Sequence, residues 1–388
     1  MKKYIFLLIA SAALLPLASC TKVQETAAGT DEISFQVAGY ALTRADADPA
    51  VVAFPHADFG AYAWHNSPEG VQTPRFSDEK VAKQGSVWTT VNNTFYWMKT
   101  GTDDFVCYAP YGEGTPAVSP TSISWGSAEA PYAVRMDNPD LMYADKALNQ
   151  TGNAAAGAKT ADPVPVLFHH ALSKLAFQVK ANFLTDKDKT TDWEVTLKSA
   201  VLSGIRDKGT LSLTLPAGNT DGKWPLPESG ADKLHIWAPA GTTVLEPIQL
   251  VSAEEGMKLT TEPQALYAGE DGKAKSFFVL PQELLASTAD LAAQQLTLEF
   301  HIKTTLPTKD DKGNRRVLDE DYKATFDLRD ISSLKAWQIN QNILYTIRIK
   351  PTLMEDPNSP DDPSDVTVTF DPAVVEWEDL SADATIQL

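Results

Sequence analysis

The side chains in this chain best suited to chemistry are six histidines, two cysteines and several clustered aspartates. The histidines are His56, His65, His169, His170, His235 and His301, and no two stand at the spacing that puts paired metal ligands on one helix face. His169 and His170 are adjacent, so on a strand they point to opposite faces. Asp186, Asp188 and Asp192 begin like a calcium loop, but no glycine follows at the sixth position and no glutamate at the twelfth. Gly152 to Lys159 comes nearest to a phosphate loop, yet Ala158 stands where a lysine must reach the phosphates. Cys107 lies in the apolar run Phe105 to Ala109, which reads as a buried strand, and a buried thiol makes a poor nucleophile. No coupled nucleophile, base or metal set emerges. The expectation is a non-enzyme with no cofactor and no metal.

Cys20 has a different setting. Lys2 and Lys3 precede an apolar stretch from Tyr4 to Leu15, followed by Leu17-Ala18-Ser19-Cys20. A charged start, a short apolar run and small residues before a cut site make a signal peptide over residues 1–19. Its apolar run falls short of the roughly 20 residues that span a bilayer, so the segment itself is no anchor. Leu17 to Cys20 resembles the bacterial lipobox, whose cysteine thiol receives a diacylglycerol. That resemblance implies lipidation at Cys20 and residence at the outer membrane. Thr21 to Thr30 has no apolar periodicity and suits a flexible tether.

Composition narrows the class further. The net charge of −18 disfavours nucleic acid and anionic membrane surfaces as partners, because phosphate binding needs clustered lysine and arginine. With Cys20 lipidated, only Cys107 remains, so stability must come from buried cores. A length of 388 residues suggests two domains. The 35 aromatic residues, among them Trp88, Trp97, Trp125, Trp224 and Trp237, are expected in those cores, or in part on a sugar-stacking surface.

The elements that must position these residues are strands. Ile33 to Val37, Leu175 to Val179, Leu211 to Leu215, Leu296 to Phe300 and Leu344 to Ile349 each alternate apolar with polar residues. Helical spacing is confined to Glu283 to Gln295. The fold class is therefore mainly β, of antiparallel sandwich type. The small, polar segment Asn149 to Asp162 reads as a domain boundary or equally as a long surface loop; as a boundary it gives an N-terminal domain over 45–160 and a C-terminal one over 161–350. Pro351 to Asp365 carries four prolines and five acids and reads as a semi-extended spacer. Beyond it, over 366–388, Val366, Val368 and Phe370, then Ala382, Ala384, Ile386 and Leu388, alternate with polar residues. Amphipathic strands at a chain end call for a groove to fill.

Taken in order, several segments resemble the fimbrillins, the subunits of surface pili of Bacteroidales. They are the lipobox at Cys20, the strand Ile33 to Val37 followed by Leu42-Thr43-Arg44-Ala45, and Phe95-Tyr96-Trp97. Phe105 to Tyr111, Leu141 to Ala144, Phe168 to Val179, Asp371-Pro372 and Trp377-Glu378 continue the series. The resemblance implies two transthyretin-like β-sandwich domains with Greek-key sheets. It also implies a lipidated propeptide over 20–44, cut between Arg44 and Ala45 by a trypsin-like or Arg-specific surface protease. The first strand would then leave its groove, and the C-terminal strands of another subunit, residues 366–388, would take its place. Removing residues 1–44 takes out four basic and three acidic residues and moves the charge from −18 to −19, so such assembly must be driven by burial. The implied partners are other fimbrillin subunits in a head-to-tail filament. The alternatives are a lipid-anchored accessory or anchor subunit that keeps its first strand, and a surface glycan-binding lipoprotein.

Overall fold

The computed structural model describes residues 31–40, 51–152, 162–181, 193–215, 236–251, 256–268, 275–286, 293–309, 311–330, 334–354, 365–370 and 373–376. Among these residues the regular structure is β throughout. The first sheet is built from β1 (Ser34–Tyr40), β2 (Val51–Val52), β3 (Asp58–Asn66), β4 (Gln72–Gln84), β5 (Val87–Thr90) and β6 (Thr102–Ala109). After β7 (Ala117–Val118), β8 (Ser122–Trp125) and β9 (Tyr132–Ala133), the same sheet takes in β10 (Met142–Ala144), β11 (Ala147–Gln150) and β12 (Val164–His170). The strand that follows the Asn149–Asp162 segment therefore pairs into the sheet that precedes it.

Its order is β10-β12-β1-β5-β4-β3-β6-β11, and β10 also pairs with β6, so the sheet closes into a ring. Alternation then sends every second side chain inward. Phe35, Phe59, Ala61, Phe105, Cys107, Val164, Val166 and Phe168 fill the interior. On β6 the remaining residues are buried as well: Val106 and Tyr108 face outward onto Ile123, Trp125, Leu172 and Trp237. This outer core is covered by a small sheet, β16 (Ala238–Pro239)-β15 (Lys208–Thr214)-β8-β7, with β9 also on β15. Its strands come from both halves of the chain, which ties them together.

The second half forms two facing sheets. One holds β13 (Ser173–Ala181), β19 (Gln264–Ala265), β20 (Phe277–Val279), β23 (Asn342–Met354), β24 (Asp365–Phe370) and β25 (Ala373–Glu376). The other holds β14 (Glu194–Ser203), β17 (Ile248–Val251), β18 (Met257–Lys258), β21 (Gln295–Lys309) and β22 (Arg315–Asp327). Leu175, Phe177 and Val179 of β13 and Ile343, Tyr345 and Ile347 of β23 meet Leu296, Leu298 and Phe300 of β21. On β14 the buried positions switch from odd, Val195 and Leu197, to even, Ala200 and Leu202. The register slips between Leu197 and Ser199 against β21. One extra residue is thus absorbed without turning the apolar face to solvent.

The protein is a mainly β, sandwich-type fold, as its alternation indicates. Two pairs depart from antiparallel pairing: β1 with β12, and β13 with β23. Both join strands far apart in sequence, as parallel pairing requires. Glu283 to Gln295 differs from its helical reading. Glu283 bridges Ala336, residues 284–286 and 293–294 carry no helix, and Gln295 opens β21. The buried amide of Gln294 donates to Gln282 Oε1 at 3.0 Å and accepts from Leu285 N at 2.8 Å, so tertiary contacts override the local spacing.

The first-strand slot, a candidate assembly site

β1 is the stave that closes the ring. It runs parallel to β12 from Phe35↔Val164 to Gly39↔Phe168 and antiparallel to β5 at Ser34↔Thr89 and Phe35↔Trp88. Its far end meets β2 at Gly39↔Val52 and Tyr40↔Val51. Ile33 and Phe35 are buried and Val37 packs at the margin of the core. Phe35 meets Phe59 and Phe105 edge-to-face, with ring centroids 5.6 and 5.7 Å apart. Burying large apolar side chains of this kind stabilises by roughly 1.5–3 kcal/mol each. Between its contacts with β5 and β2 the strand borders an open cleft of about 630 Å³, lined by Gln36, Val37, Lys83, Val87 and Trp88.

The entry to β1 is held separately. Ile33 N donates to Phe95 O at 2.8 Å and Trp97 N to Asp31 O at 3.2 Å, with Glu32 opposite Tyr96 between them. Behind this clasp lies a polar cluster. Arg75, its side chain 2% exposed, donates one guanidinium nitrogen to Asp103 and another to the carbonyl of Tyr96. His65 Nδ1 lies 2.9 Å from the other Asp103 oxygen. Next to it, Asp104 accepts from Asn66 Nδ2 at 2.8 Å, Gln72 Nε2 at 3.2 Å and the amide of Asn149 at 2.8 Å. Burial raises the Asp103 carboxyl above its ordinary value, opposed by the pull of Arg75 and His65. Gly101 (φ +79°) passes so close that a Cβ there would meet the carbonyl of Asn66 at 2.3 Å and the His65 ring. Nothing in the local sequence pattern marks this cluster except Asp103 and Asp104, acids placed directly before an apolar strand.

Other chemistry candidates resolve into structure. Cys107 is fully buried and burial pushes its thiol far up. His169 is buried 3.0 Å from Asp145, and His170 lies 2.7 Å from Asp140. Trp97, Trp125 and Trp237 are buried core residues. Among the described residues no group of three histidines, cysteines or acids could hold a metal. Val366, Val368 and Phe370 sit on β24, opposite Leu353, Pro351 and Ile349 of β23. β25 follows along the same strand, from Ala373↔Thr346 to Glu376↔Ile343. Cys20, Arg44 and Ala45 lie outside the described residues, as do Ala382, Ala384, Ile386 and Leu388. So do Trp224 and Asp186, Asp188 and Asp192.

Among the described residues, the fold is a ring of strands that includes β1 and a sandwich edged by β24 and β25. A family model described as fimbrillin-like matches residues 43–377, and the chain belongs to that family. The family is one of fimbrial and adhesin proteins, which assigns a fimbrial subunit role at the cell surface with other fimbrial subunits as partners. Among solved structures it is similar to a candidate cell adhesion protein from Bacteroides uniformis, at 18% identity over 89% of this chain and 98% of that one, with a TM-score of 0.40. A candidate cell adhesion protein from Parabacteroides distasonis matches at 12% identity over 89% and 100%, with a TM-score of 0.42. The fimbrial anchor protein Mfa2 from Porphyromonas gingivalis matches at 12% over 89% and 98%, with a TM-score of 0.28. Among curated proteins, none matches.

Proposed function

We propose that this protein is a pilin of a surface fimbria, exported as a lipoprotein through Cys20, cut after Arg44 and polymerised by strand exchange. One observation carries the reading. Among the described strands, the one nearest the N-terminus is a stave of the first ring, and residues 41–50, Arg44 among them, are its only covalent link to the body beyond. A cut between Arg44 and Ala45 leaves β1 held by hydrogen bonds and burial alone. Its departure opens the ring between β5 and β12 and uncovers the seats of Ile33 and Phe35 beside Phe59 and Phe105.

The replacement has matching chemistry. Ile33, Phe35 and Val37 recur every second residue, and so do Val366, Val368 and Phe370. β24 and β25 pair with β23 alone among the described strands, at the end of their sheet, so a second subunit can draw them away by breaking the pairing to that one strand. Ala382, Ala384, Ile386 and Leu388 would extend the same pattern along the slot. Main-chain hydrogen bonds to β5 and β12 set the register, and the alternating side chains fill the pockets. The contact joins two different faces and propagates head-to-tail.

N-terminal sequencing with intact mass, on protein sheared from cells and on protein left in the membrane, tests this. A start at Ala45 in the sheared fraction and lipid on Cys20 in the membrane fraction are expected. Lipidated Cys20 in both fractions would instead mean a permanently anchored subunit.

A further inference from the structure

We infer that Arg75 is the latch on the first strand and sets how long β1 stays in place once the chain has been cut; this rests on the strand-exchange reading above. β1 itself is held along β12 and, on its other side, by β5 at two positions and by β2 at two. The 95–97 segment adds a fourth hold, closing over residues 31–33 through the Ile33 and Trp97 amides. That segment lies outside the named strands; the rings of Phe95 and Trp97 anchor its two ends on Phe76 and Phe105, and the exposed Tyr96 between them is held through its carbonyl. Arg75 provides that hold with a two-ended contact: one guanidinium nitrogen on Asp103 of β6, another on the Tyr96 carbonyl. Asp103 is fixed in turn by His65 on β3. The chain of contacts runs from the rigid ring, through Arg75, to the clasp, and ends on the strand that has to leave.

Arginine suits this role because its planar fork reaches two acceptors at once. A lysine ammonium at the same position keeps the charge and can satisfy Asp103, but on one nitrogen it cannot hold both acceptors in the same geometry. Arg75→Lys should therefore loosen the clasp while leaving the ring intact.

The test uses the full chain, cut once after Arg44 by limited trypsin digestion and mixed with excess synthetic peptide of residues 365–388. Release of the β1 fragment that ends at Arg44 is followed by mass spectrometry. Arg75→Lys is expected to release it at least tenfold faster than the unsubstituted protein. Hydrogen exchange should quicken at Ile33 and Trp97 while the amides between β3 and β6 keep their protection. Release within twofold of the unsubstituted protein, with the variant folded, overturns the latch and leaves strand exchange standing. Failure of the unsubstituted protein to release the fragment at all overturns both. If Arg75→Lys does not fold, Arg75→Met with Asp103→Leu, which removes both buried charges together, is read in the same way.

Discussion

Phe35 stands edge-on to Phe105, ring centroids 5.7 Å apart at 87°, and through this contact the first strand is seated in the centre of the N-terminal ring. The partners come from opposite sides of the ring interior, β1 and β6, and Phe59 completes the aromatic seat from β3. Truncating Phe35 to alanine removes this packing and leaves a cavity, at about 3–5 kcal/mol for a buried phenylalanine. Phe35→Ala should lower the melting temperature of the uncut protein and make Arg44 more sensitive to trypsin. An unchanged melting temperature would mean the strand is not seated in the core.

Cys107 faces the same interior. It is fully buried, and burial raises its thiol far above the ordinary value, so almost no thiolate forms at neutral pH. With Cys20 acylated as proposed, Cys107 is the one thiol left in the chain. Iodoacetamide at about pH 8 should leave it unmodified in the folded protein and alkylate it fully in denaturant. Ready alkylation under native conditions would show the ring opening on its own.

The connection into the ring also carries a pH dependence. His56 is lowered below its ordinary value, first by burial, opposed by Asp140 and reinforced by the neighbouring His170. Its neutral form is therefore favoured in the folded state, while the unfolded chain protonates near the ordinary imidazole value of about 6.5. Folding stability should be full above that value and decline as pH falls through it toward the lower folded value. Urea midpoints measured from about pH 7.5 down to about pH 5 are expected to fall, and His56→Gln should fall less steeply. Identical slopes for the two proteins would remove His56 from the explanation.

The strands were legible because half-buried β structure writes itself as alternation, and Leu175–Val179, Leu296–Phe300 and Leu344–Ile349 all lie as their pattern requires. Cys107 as a buried strand residue and His169 and His170 on opposite faces followed from the same rule. Ring closure was not legible: β1 pairs with a strand about 130 residues away, and parallel pairing leaves no turn in the sequence to announce it. The Arg75 cluster was equally hidden. Arg75, Asp103 and Asp104 carry no motif that links them in sequence, and only their convergence in space, with the exposed Gln72 at the margin, makes them a network. Glu283–Gln295 misled because two buried glutamines, Gln282 and Gln294, bond to each other and hold the described ends of this stretch, residues 283–286 and 293–295, in non-helical positions that local spacing does not encode.

Release of the first strand is the central claim, and Glu32 and Tyr96 offer a way to block it. They form a non-hydrogen-bonded antiparallel pair, since the flanking bonds are Ile33 N to Phe95 O and Trp97 N to Asp31 O. Such pairs bring Cα atoms within the range a disulfide spans. Glu32→Cys with Tyr96→Cys should therefore lock the clasp shut without touching the core. The decisive measurement is filament formation by this double variant after cleavage at Arg44, scored by electron microscopy with and without reductant. Cut protein that stays monomeric when oxidised and forms filaments when reduced is the predicted result. Filaments of equal number and length in the oxidised, cut protein would contradict strand exchange.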